Sequence, residues 1–259
     1  MTWFFGDTCL DMLSNDDSLG VEDIGDVNGI PTPRGSNPEI PLREGRVHVA
    51  KLFDQRVISL GMWLVGSSPA DFEARLDGLK KLVGNRRRQL LKRVMTGGSV
   101  RQVYAEVTGN LSYTRVGPTA GRFVIDFMLA EPFFRSEVLF APAATSIAAS
   151  PKTFTINNGG TAADRSALIL LNGTLSNVKI TNLTNNVWVS YAPAISGGAA
   201  VIIDVANFTA KLGATSVLGD VLHSGDSYFM VLEPDSNTIQ VESSTLGGSV
   251  QFKFYPPYL

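Results

Sequence analysis

One helix signal, over residues 69–83, stands among segments that resemble β-strands, and it restricts the fold of the first half of the chain. Ser68 is placed as an N-cap, Pro69 takes the first helical position, and Asp71 follows three residues after the cap. This order satisfies the free N–H groups at a helix start. The next apolar residues fall four, three and four positions apart, on one helical face: Phe72, Leu76, Leu79 and Val83. We expect Gly84–Asn85 to end the helix with a residue at positive φ.

The segments around this helix have the alternation and the β-branched and aromatic residues typical of strands. RVHVAKLFDQRVISLGMWLVG precedes the helix, and RRRQLLKRVM, RQVYAEVTGNLSYTRV and GRFVIDFMLAEPFF follow it. One short helix lying across several strands predicts an α+β domain within a mainly β protein. Before these strands, the prolines at positions 31, 33, 38 and 41 predict a long ordered loop or a sheet edge, because proline donates no ladder hydrogen bond.

The composition changes after residue 134, and this change predicts two domains. Ala, Ser and Pro dominate residues 141–152, which we interpret as a linker between an N-terminal domain at 1–140 and a C-terminal domain at 153–259. From Thr153 onward, short apolar runs alternate with turn signals at a spacing typical of an all-β sandwich. The runs include TFTIN, ALILLNG, NVKITNL, VWVSY, AAVIIDV, YFMVLE, TIQVES and SVQFKFY.

Charge is distributed unevenly along a chain whose net charge is only −2. Residues 1–30 hold seven acidic residues and no Lys or Arg, whereas residues 31–135 hold 17 Lys and Arg against nine Asp and Glu. The acidic segment is either a solvated tail or a surface that meets the basic block of its own or a neighbouring subunit. The candidate contact joins two groups: Asp16, Asp17, Glu22 and Asp23, and Arg86, Arg87 and Arg88. No aromatic residues interleave the basic run, so a protein interface is favoured over a nucleic-acid interface.

An apolar patch at the N-terminus, Trp3–Phe4–Phe5, needs a cover. The cover that we expect first is a strand pairing on the N-terminal domain, and a neighbouring subunit is the other. We therefore include these three aromatic residues among the candidate interface residues.

Catalytic and metal-binding signatures are absent from the sequence. It has two histidines and one cysteine, without the spacing of a metal site, so we expect no metal and no cofactor. It has no P-loop, no dinucleotide-binding turn and no nucleophile elbow, and His223 has Asp220 and Ser224 only as neighbours along a strand. Trp188 and Tyr191 can stack on a sugar, although core packing is the favoured role for both. No apolar run is long enough to cross a membrane, and the N-terminus does not resemble a secretory signal.

Two long stretches resemble the phage distal tail proteins. PRGSNPEIPLREGRVHVAKLFDQRVISLGMWLVG, then DFEARLDGLKKLVG, then RQVYAEVTG and RFVIDFMLAEPFFRS, are similar in order to their N-terminal, ring-forming domain. FTINNGGTAADRSALILLNGTLSNVKITN and GDVLHSGDSYFMVLEPDSNTIQV resemble the opening and close of their C-terminal galectin-like sandwich. The resemblance covers nearly the whole chain. It transfers no catalytic residue, and the second domain has no room for an inserted carbohydrate-binding module.

The resemblance implies a structural, non-enzymatic virion protein of a long, non-contractile tail. Distal tail proteins form a ring, usually hexameric, between the last ring of tail tube protein and the tail-tip hub. Their C-terminal sandwiches project outward as an attachment platform, and DNA crosses the channel without specific binding. The protein would be made in the host bacterial cytoplasm, would reach the virion tail tip and would not insert into a membrane.

Three alternatives remain open at this point. The first is a lectin-like module for host adhesion that uses the C-terminal sandwich. The second is a tail tube protein, although tube proteins are usually a single β domain. The third is a wall hydrolase whose acidic residues lie in the β domain.

Overall fold

The computed structural model is mainly β, as the sequence predicts, and contains two compact units. It describes residues 2–10, 21–23, 28–39, 41, 44, 46–47, 49, 51–85, 87–196, 198–225 and 229–259. The N-terminal unit is Met1–Phe134 together with Leu259, and the C-terminal unit is Arg135–Tyr258.

Antiparallel strands and one helix build the N-terminal unit. The strands are β1 (Thr2–Phe5), β2 (Thr8–Cys9), β3 (Glu22–Asp23), β4 (Pro33–Arg34), β5 (Leu52–Phe53), β6 (Arg56–Val65), β7 (Gln89–Val94), β8 (Val100–Arg115) and β9 (Ala120–Leu129). The helix is α1 (Pro69–Gly84). The main sheet contains these strands in the order β2-β1-β7-β8-β9-β6-β3.

The long strands β6 and β9 form the core of this sheet because their apolar residues alternate in step. Ile58 lies opposite Phe127 and Met62 lies opposite Phe123, and all four side chains are buried. Since alternate residues of a strand point to opposite faces, one face of the sheet carries the core. We call this the core face and the opposite side the outer face. The register of β8 against β9 shifts between Thr108 and Ser112, which is a bulge.

The predicted cap of α1 is present, and the helix ends at Gly84 as predicted, but without the positive φ that we expected there. The Ser68 hydroxyl accepts a hydrogen bond from the Asp71 N–H, and Pro69 begins the helix. The Asp71 carboxylate accepts from Ser67, both from its N–H at 2.8 Å and from its hydroxyl at 3.0 Å. The C-cap residue Asn85 has a φ of −79°, so the prediction of a left-handed ending is wrong. Lys81 in the last turn is basic, as the negative end of the helix dipole favours.

A two-stranded arm, residues 30–54, precedes β6. Within it β4 pairs with β5, and further out the Val47 N–H donates to the Pro38 carbonyl at 2.9 Å. Glu39 and Arg46 form an isolated bridge and an ion pair of 2.9 Å near its far end. At its base, the Phe53 ring meets the Phe133 ring edge-on at 5.6 Å. The proline-rich segment is therefore one limb of a hairpin, as the expectation of a sheet edge or ordered loop allows.

The C-terminal unit is a sandwich of two antiparallel sheets. A six-stranded sheet contains β11 (Thr145–Ile147), β13 (Leu168–Gly173), β16 (Ala200–Asp204), β17 (Thr209–Leu212), β18 (Thr215–Ser216) and β21 (Gly248–Lys253). A five-stranded sheet contains β12 (Lys152–Asn158), β14 (Val178–Asn182), β15 (Val187–Tyr191), β19 (Val221–His223) and β20 (Asp235–Glu242). Buried residues from both sheets form one core, including Ile169, Val201, Phe252, Ile180 and Val241. The shorter elements are β10 (Phe134–Ser136), β22 (Pro257–Tyr258) and a 3₁₀ turn (Leu218–Asp220).

The predicted linker over 141–152 is wrong in part. Thr145–Ile147 form strand β11, which pairs with β21 in the six-stranded sheet. Ile147 is completely buried in the core, so an Ala- and Ser-rich segment that lacks charge is here a strand of the sandwich. The division between the compact units falls earlier, between residues 134 and 135.

The predicted strand YFMVLE is not a strand over its described residues, 229–233. Leu232 makes only an isolated bridge with Asp164, and asparagine side chains, Asn185 among them, donate to the carbonyl groups of the segment. Asn182 donates to the Val231 carbonyl at 2.8 Å, Asn158 to the Leu232 carbonyl at 3.2 Å and Asn237 to the Glu233 carbonyl at 2.8 Å. Side-chain amides thus supply the hydrogen bonds that a neighbouring strand would otherwise make.

Candidate functional site

The acidic and basic candidates belong to different strands of the N-terminal sheet. Glu22 and Asp23 form β3, which pairs with β6 at one end of the sheet order. Arg87 and Arg88 are exposed and lead into β7, which stands four places along that order. The segment that follows β3 also reaches β7, because Arg93 Nη1 donates to Asn28 Oδ1 at 2.9 Å. Asp16, Asp17 and Arg86 lie outside the described residues.

The position of Arg88 is fixed by an aromatic ring. Its guanidinium carbon lies 4.7 Å from the centre of the Tyr104 ring, and Tyr104 is 54% exposed on the outer face. A cation over an aromatic face is stabilised by the ring quadrupole. This arrangement presents a positive charge and an apolar ring together at the surface.

Two of the three N-terminal aromatic residues are not available as an interface. β1 pairs with β7, and the Trp3 and Phe5 side chains are each 1% exposed in the core. Phe5 packs on Phe127 with the ring centres 5.0 Å apart. The prediction that Trp3 and Phe5 form a subunit surface is therefore wrong, because this chain's own sheet covers them. Phe4 points to the opposite face and is only partly buried, so it remains a candidate.

The outer face of the N-terminal sheet carries apolar residues that the sequence analysis did not select. Register places Val57 opposite Met128 and Leu90 opposite Tyr104, and Val124 lies on the same face as Met128. Val57 is 46% exposed. The sequence did carry a signal for these residues. Strands β6 and β9 have apolar residues at the core-facing positions and also at some of the alternate, outward-facing positions. One set of positions fills the core, and the other presents apolar residues outside next to polar ones such as Ser59 and Asp126.

The two aromatic residues proposed for sugar contact point in opposite directions. In β15 the exposure alternates, so that Trp188 is partly exposed while Tyr191 is buried in the sandwich core with 2% exposure. Burial raises the pKa of the Tyr191 hydroxyl, and the charge of Asp220 adds to the effect. The Lys179 ammonium lies 5.0 Å from the centre of the Trp188 ring. Trp188 and Tyr191 therefore do not form one binding platform.

A buried charged contact of the C-terminal unit joins Arg135 to Asp164. Arg135 Nη1 lies 3.1 Å from Asp164 Oδ1 and 2.7 Å from the Ser166 hydroxyl, and it donates to the Tyr255 carbonyl at 3.2 Å. Asp164 is fully buried, and this desolvation raises the pKa of its carboxyl group despite the opposing hydrogen bonds from Ser166. The contact ties the first residue of the unit to its last strand-forming segment.

Histidine and acidic side chains do not gather into a metal-binding cluster among the described residues. No group of three or more His, Cys, Asp or Glu side chains there is arranged to hold a metal ion. The His223 ring packs on Phe229 with the ring centres 5.3 Å apart, and His48 lies outside the described residues. Over the same ranges, no helix has the length and hydropathy needed to cross a membrane.

One solved structure shares this two-unit, mainly β architecture over essentially its whole length. The chain superposes on the crystal structure of SPP1 Dit (gp 19.1), described as a paradigm of the hub adsorption apparatus in phages that infect Gram-positive bacteria. The TM-score is 0.69 at 12% sequence identity, over 100% of this chain and 99% of that chain. This chain therefore has a Dit-like fold.

Two further matches come from the baseplate of phage p2 in its activated conformation, with Sr and with Ca. Their TM-scores are 0.36 and 0.35 at 9% and 10% identity, and they cover 86% and 87% of this chain and 87% and 89% of theirs. No family model matches the chain, and no curated protein matches it in sequence.

Proposed function

We propose that this chain is a structural protein of a phage tail tip, a distal tail protein that closes into a ring, hexameric by resemblance to its family. The observation that carries the proposal is the superposition on SPP1 Dit over essentially the full length of both chains. A shared fold alone does not define an activity. The order of sequence patterns that resembles distal tail proteins is a separate argument that points to the same class.

The distribution of charge on the N-terminal sheet supports head-to-tail contacts between subunits. The acidic strand β3 lies at one end of the sheet order, and the basic residues Arg87 and Arg88 lie four strands away. Two different surfaces that attract each other generate a heterologous contact, and such contacts close into a ring when the rotation permits it. In the assembled tail, the ring would join the tail tube to the tail-tip hub, and DNA would cross its channel without specific binding.

Native mass spectrometry of the purified chain, together with negative-stain images, tests this proposal. We expect a closed ring with a central hole and a mass near six subunits. Long open tubes would favour the tail tube alternative, in which the same contacts fail to close. A chain that remains monomeric up to high concentration would contradict self-assembly by this protein alone.

A second candidate function, glycan binding by the C-terminal unit, now rests on Trp188 without Tyr191. The Trp188 ring is partly exposed, and register places the Thr181 hydroxyl directly opposite it on β14. An aromatic ring beside hydroxyl groups offers a stacking surface and hydrogen-bond partners to a sugar. Saturable binding of wall polysaccharide that is lost in Trp188→Ala would support this function. Equal binding by Trp188→Ala would exclude this residue as the contact.

A further inference from the structure

Two arginines on the core face of the N-terminal sheet hold a short segment that lies between β3 and β4. Arg93 on β7 is 4% exposed and Arg56 on β6 is 3% exposed. Arg93 Nη1 donates to Asn28 Oδ1 at 2.9 Å, and Arg56 Nη2 donates to the Gly29 carbonyl at 2.8 Å. Asn28 itself is exposed, so water reaches its amide group. The dipeptide Asn28–Gly29 is therefore held by two cations and remains open to solvent.

An asparagine followed by glycine is prone to react with its own backbone, because glycine has no Cβ to shield its nitrogen. The Gly29 nitrogen attacks Asn28 Cγ and gives its proton to water, and the new bond closes a succinimide ring. The bond from Cγ to Nδ2 breaks, and the amide leaves as ammonia. One water molecule then opens the ring and leaves aspartate or isoaspartate. The reaction consumes water and needs no other reagent.

The Arg93 guanidinium lies where this reaction develops negative charge. When the nitrogen attacks Cγ, the electron pair of the C=O bond moves onto Oδ1, which is the atom that Arg93 contacts. A guanidinium group only donates, so the asparagine atom 2.9 Å from it is the oxygen and not the nitrogen. The guanidinium carbon also lies 5.2 Å from the centre of the Trp3 ring, which helps to hold it in place. A donor positioned in this way stabilises an oxyanion without reorganisation.

We propose that Asn28–Gly29 is a self-modifying site, at which Asn28 deamidates in the folded protein while Arg93 stabilises the oxyanion. The product carries a carboxylate beside the same guanidinium, so a charge-assisted hydrogen bond replaces the neutral one. The conversion adds one negative charge and strengthens the contact that holds the segment after β3 on the sheet. This chemistry belongs to a single chain and is independent of the proposed function.

Another asparagine–glycine pair, Asn172–Gly173, provides an internal comparison. Asn172 pairs with Ala200 on one side and with Ser249 on the other, so its backbone is fixed within the six-stranded sheet. Ring closure requires the backbone to rotate at the asparagine, and this rotation would break those pairings. We therefore expect folding to protect Asn172 and not to protect Asn28.

Peptide mapping by mass spectrometry tests the proposal on the full chain, stored folded in buffer and unfolded in guanidinium chloride at the same pH and temperature. The unfolded chain gives the reactivity of each pair without tertiary contacts. We expect Asn28 to deamidate at least as fast in the folded chain as in the unfolded one. Asn172 should be slowed by folding at least about tenfold, because its reaction requires local opening. A slower reaction of Asn28 in the folded chain would overturn the proposal.

Variants test the part that Arg93 takes, each measured as the ratio of its folded to its unfolded rate at Asn28. Arg93→Gln should lower this ratio at least about tenfold, since it removes the donor to the oxyanion. Gly29→Ala should slow the reaction in both states, because the added methyl group shields the attacking nitrogen. Circular dichroism establishes that each variant folds. An unchanged ratio in folded Arg93→Gln would contradict the role of Arg93.

Asn28→Asp produces one product directly and leaves Arg93 in place, so it does not depend on the folding of an arginine variant. We expect its midpoint of urea unfolding at neutral pH to lie above that of the wild type, because the carboxylate binds the guanidinium. Asn37→Asp, in the arm, is the control with the same change in charge and should leave the midpoint nearly unchanged. A midpoint for Asn28→Asp at or below the wild-type value would show that Arg93 does not bind the product.

Discussion

Gly66 connects β6 to the helix at a position where no side chain fits. A Cβ placed there would lie 2.7 Å from the Phe72 Cα, closer than real Cβ atoms approach. Phe72 is buried and begins the apolar face of α1, so it cannot move aside without opening the core. The glycine thus sets how closely the helix approaches the sheet.

We predict that Gly66→Ala lowers the free energy of unfolding by about 1–3 kcal/mol, because the added methyl group overpacks the junction. Gly97→Ala is the matched control, since nothing lies within 4 Å of the Cβ that it adds. Urea unfolding of both variants and the wild type provides the measurement. Equal stability of the two variants would contradict the close packing at Gly66.

The carboxyl group of Asp164 links the stability of the C-terminal unit to pH. Its pKa is raised above 3.8 by burial, so the folded state retains the proton over a pH range in which the unfolded state has lost it. This contribution to stability is fully present below pH 3.8 and is lost as the pH rises through the folded-state pKa. Arg135 is the charged group that faces it.

We predict that the wild type loses stability relative to Asp164→Asn as the pH rises from about 4 to 8, because only the wild type must ionise a buried carboxyl group. Urea unfolding at several pH values compares the two proteins. Parallel stability curves across this range would show that the pKa of Asp164 is not raised.

Single-residue roles were predictable where local chemistry decides them. The cap at Ser68 follows from the order Ser, Pro and Asp, which acts within one helical turn. The roles of Trp188 and Tyr191 were not settled by composition, because both residue types suit a core and a binding surface alike. Their positions three apart in a strand already place them on opposite faces, and this signal excludes a shared site.

At the scale of elements, β1 shows how a strand separates adjacent aromatic residues. Phe5 is 1% exposed beside Phe127, whereas Phe4 lies on the outer face opposite Lys92. An apolar run at a chain terminus has no alternation with polar residues, so the sequence could not show which members were covered. Long-range pairing with β7 determines it.

We predict that Phe5→Ala lowers the free energy of unfolding by about 3–5 kcal/mol, because it leaves a cavity in the core. Phe4→Ala should cost about 1 kcal/mol or less, since its ring is only partly buried. Thermal and urea unfolding of the two variants provides the comparison. A larger loss for Phe4→Ala would place the core on the other face of β1.

Other elements depended on contacts that the sequence does not display. The segment 141–152 lacks charge and contains small residues, which suits a linker as well as an edge strand, and pairing with β21 decides in favour of a strand at 145–147. The segment 229–233 is apolar enough for a strand, yet asparagine side chains from three other segments take its carbonyl groups. These outcomes are set by tertiary hydrogen bonds and not by local propensity.

At the scale of the whole molecule, the mainly β fold was predictable because its signals are periodic and repeated. Three signals act locally and agree with one another. They are the alternation in β6 and β9, one capped helix and a series of short runs with turn signals. The exposed apolar residues of the outer face were not predicted. Alternation shows which face of a strand is buried only when the residues on the other face are polar. The predicted ionic contact between subunits cannot be derived from one chain alone.

We predict that Glu22→Lys with Asp23→Lys weakens ring assembly, because it removes the attraction to Arg87 and Arg88 of a neighbouring subunit. Arg87→Glu with Arg88→Glu should weaken it similarly, and mixing the two charge-reversed proteins should restore part of the assembly. The effect should be larger at low salt, since surface charges are screened over about 8 Å at physiological ionic strength.

Glu73→Lys with Asp77→Lys, on the exposed side of α1, is the control with the same change in charge. Sedimentation velocity at two salt concentrations measures the assembled fraction. Rings that form equally well in every variant at moderate salt would rule out the ionic contact.

The asparagine that binds Leu232 also has a chemical liability. Asn158 precedes Gly159, and an unhindered glycine N–H is the neighbour that most readily attacks an asparagine side chain and expels its amide as ammonia. In the folded chain that amide is completely buried and donates to the Ala162 and Leu232 carbonyls, and its oxygen accepts from the Gly160 N–H. Conversion to aspartate would set a carboxylate against two carbonyl oxygens. We therefore expect Asn158 to convert to aspartate only when this part of the sandwich opens, so that conditions which transiently unfold it would speed the reaction.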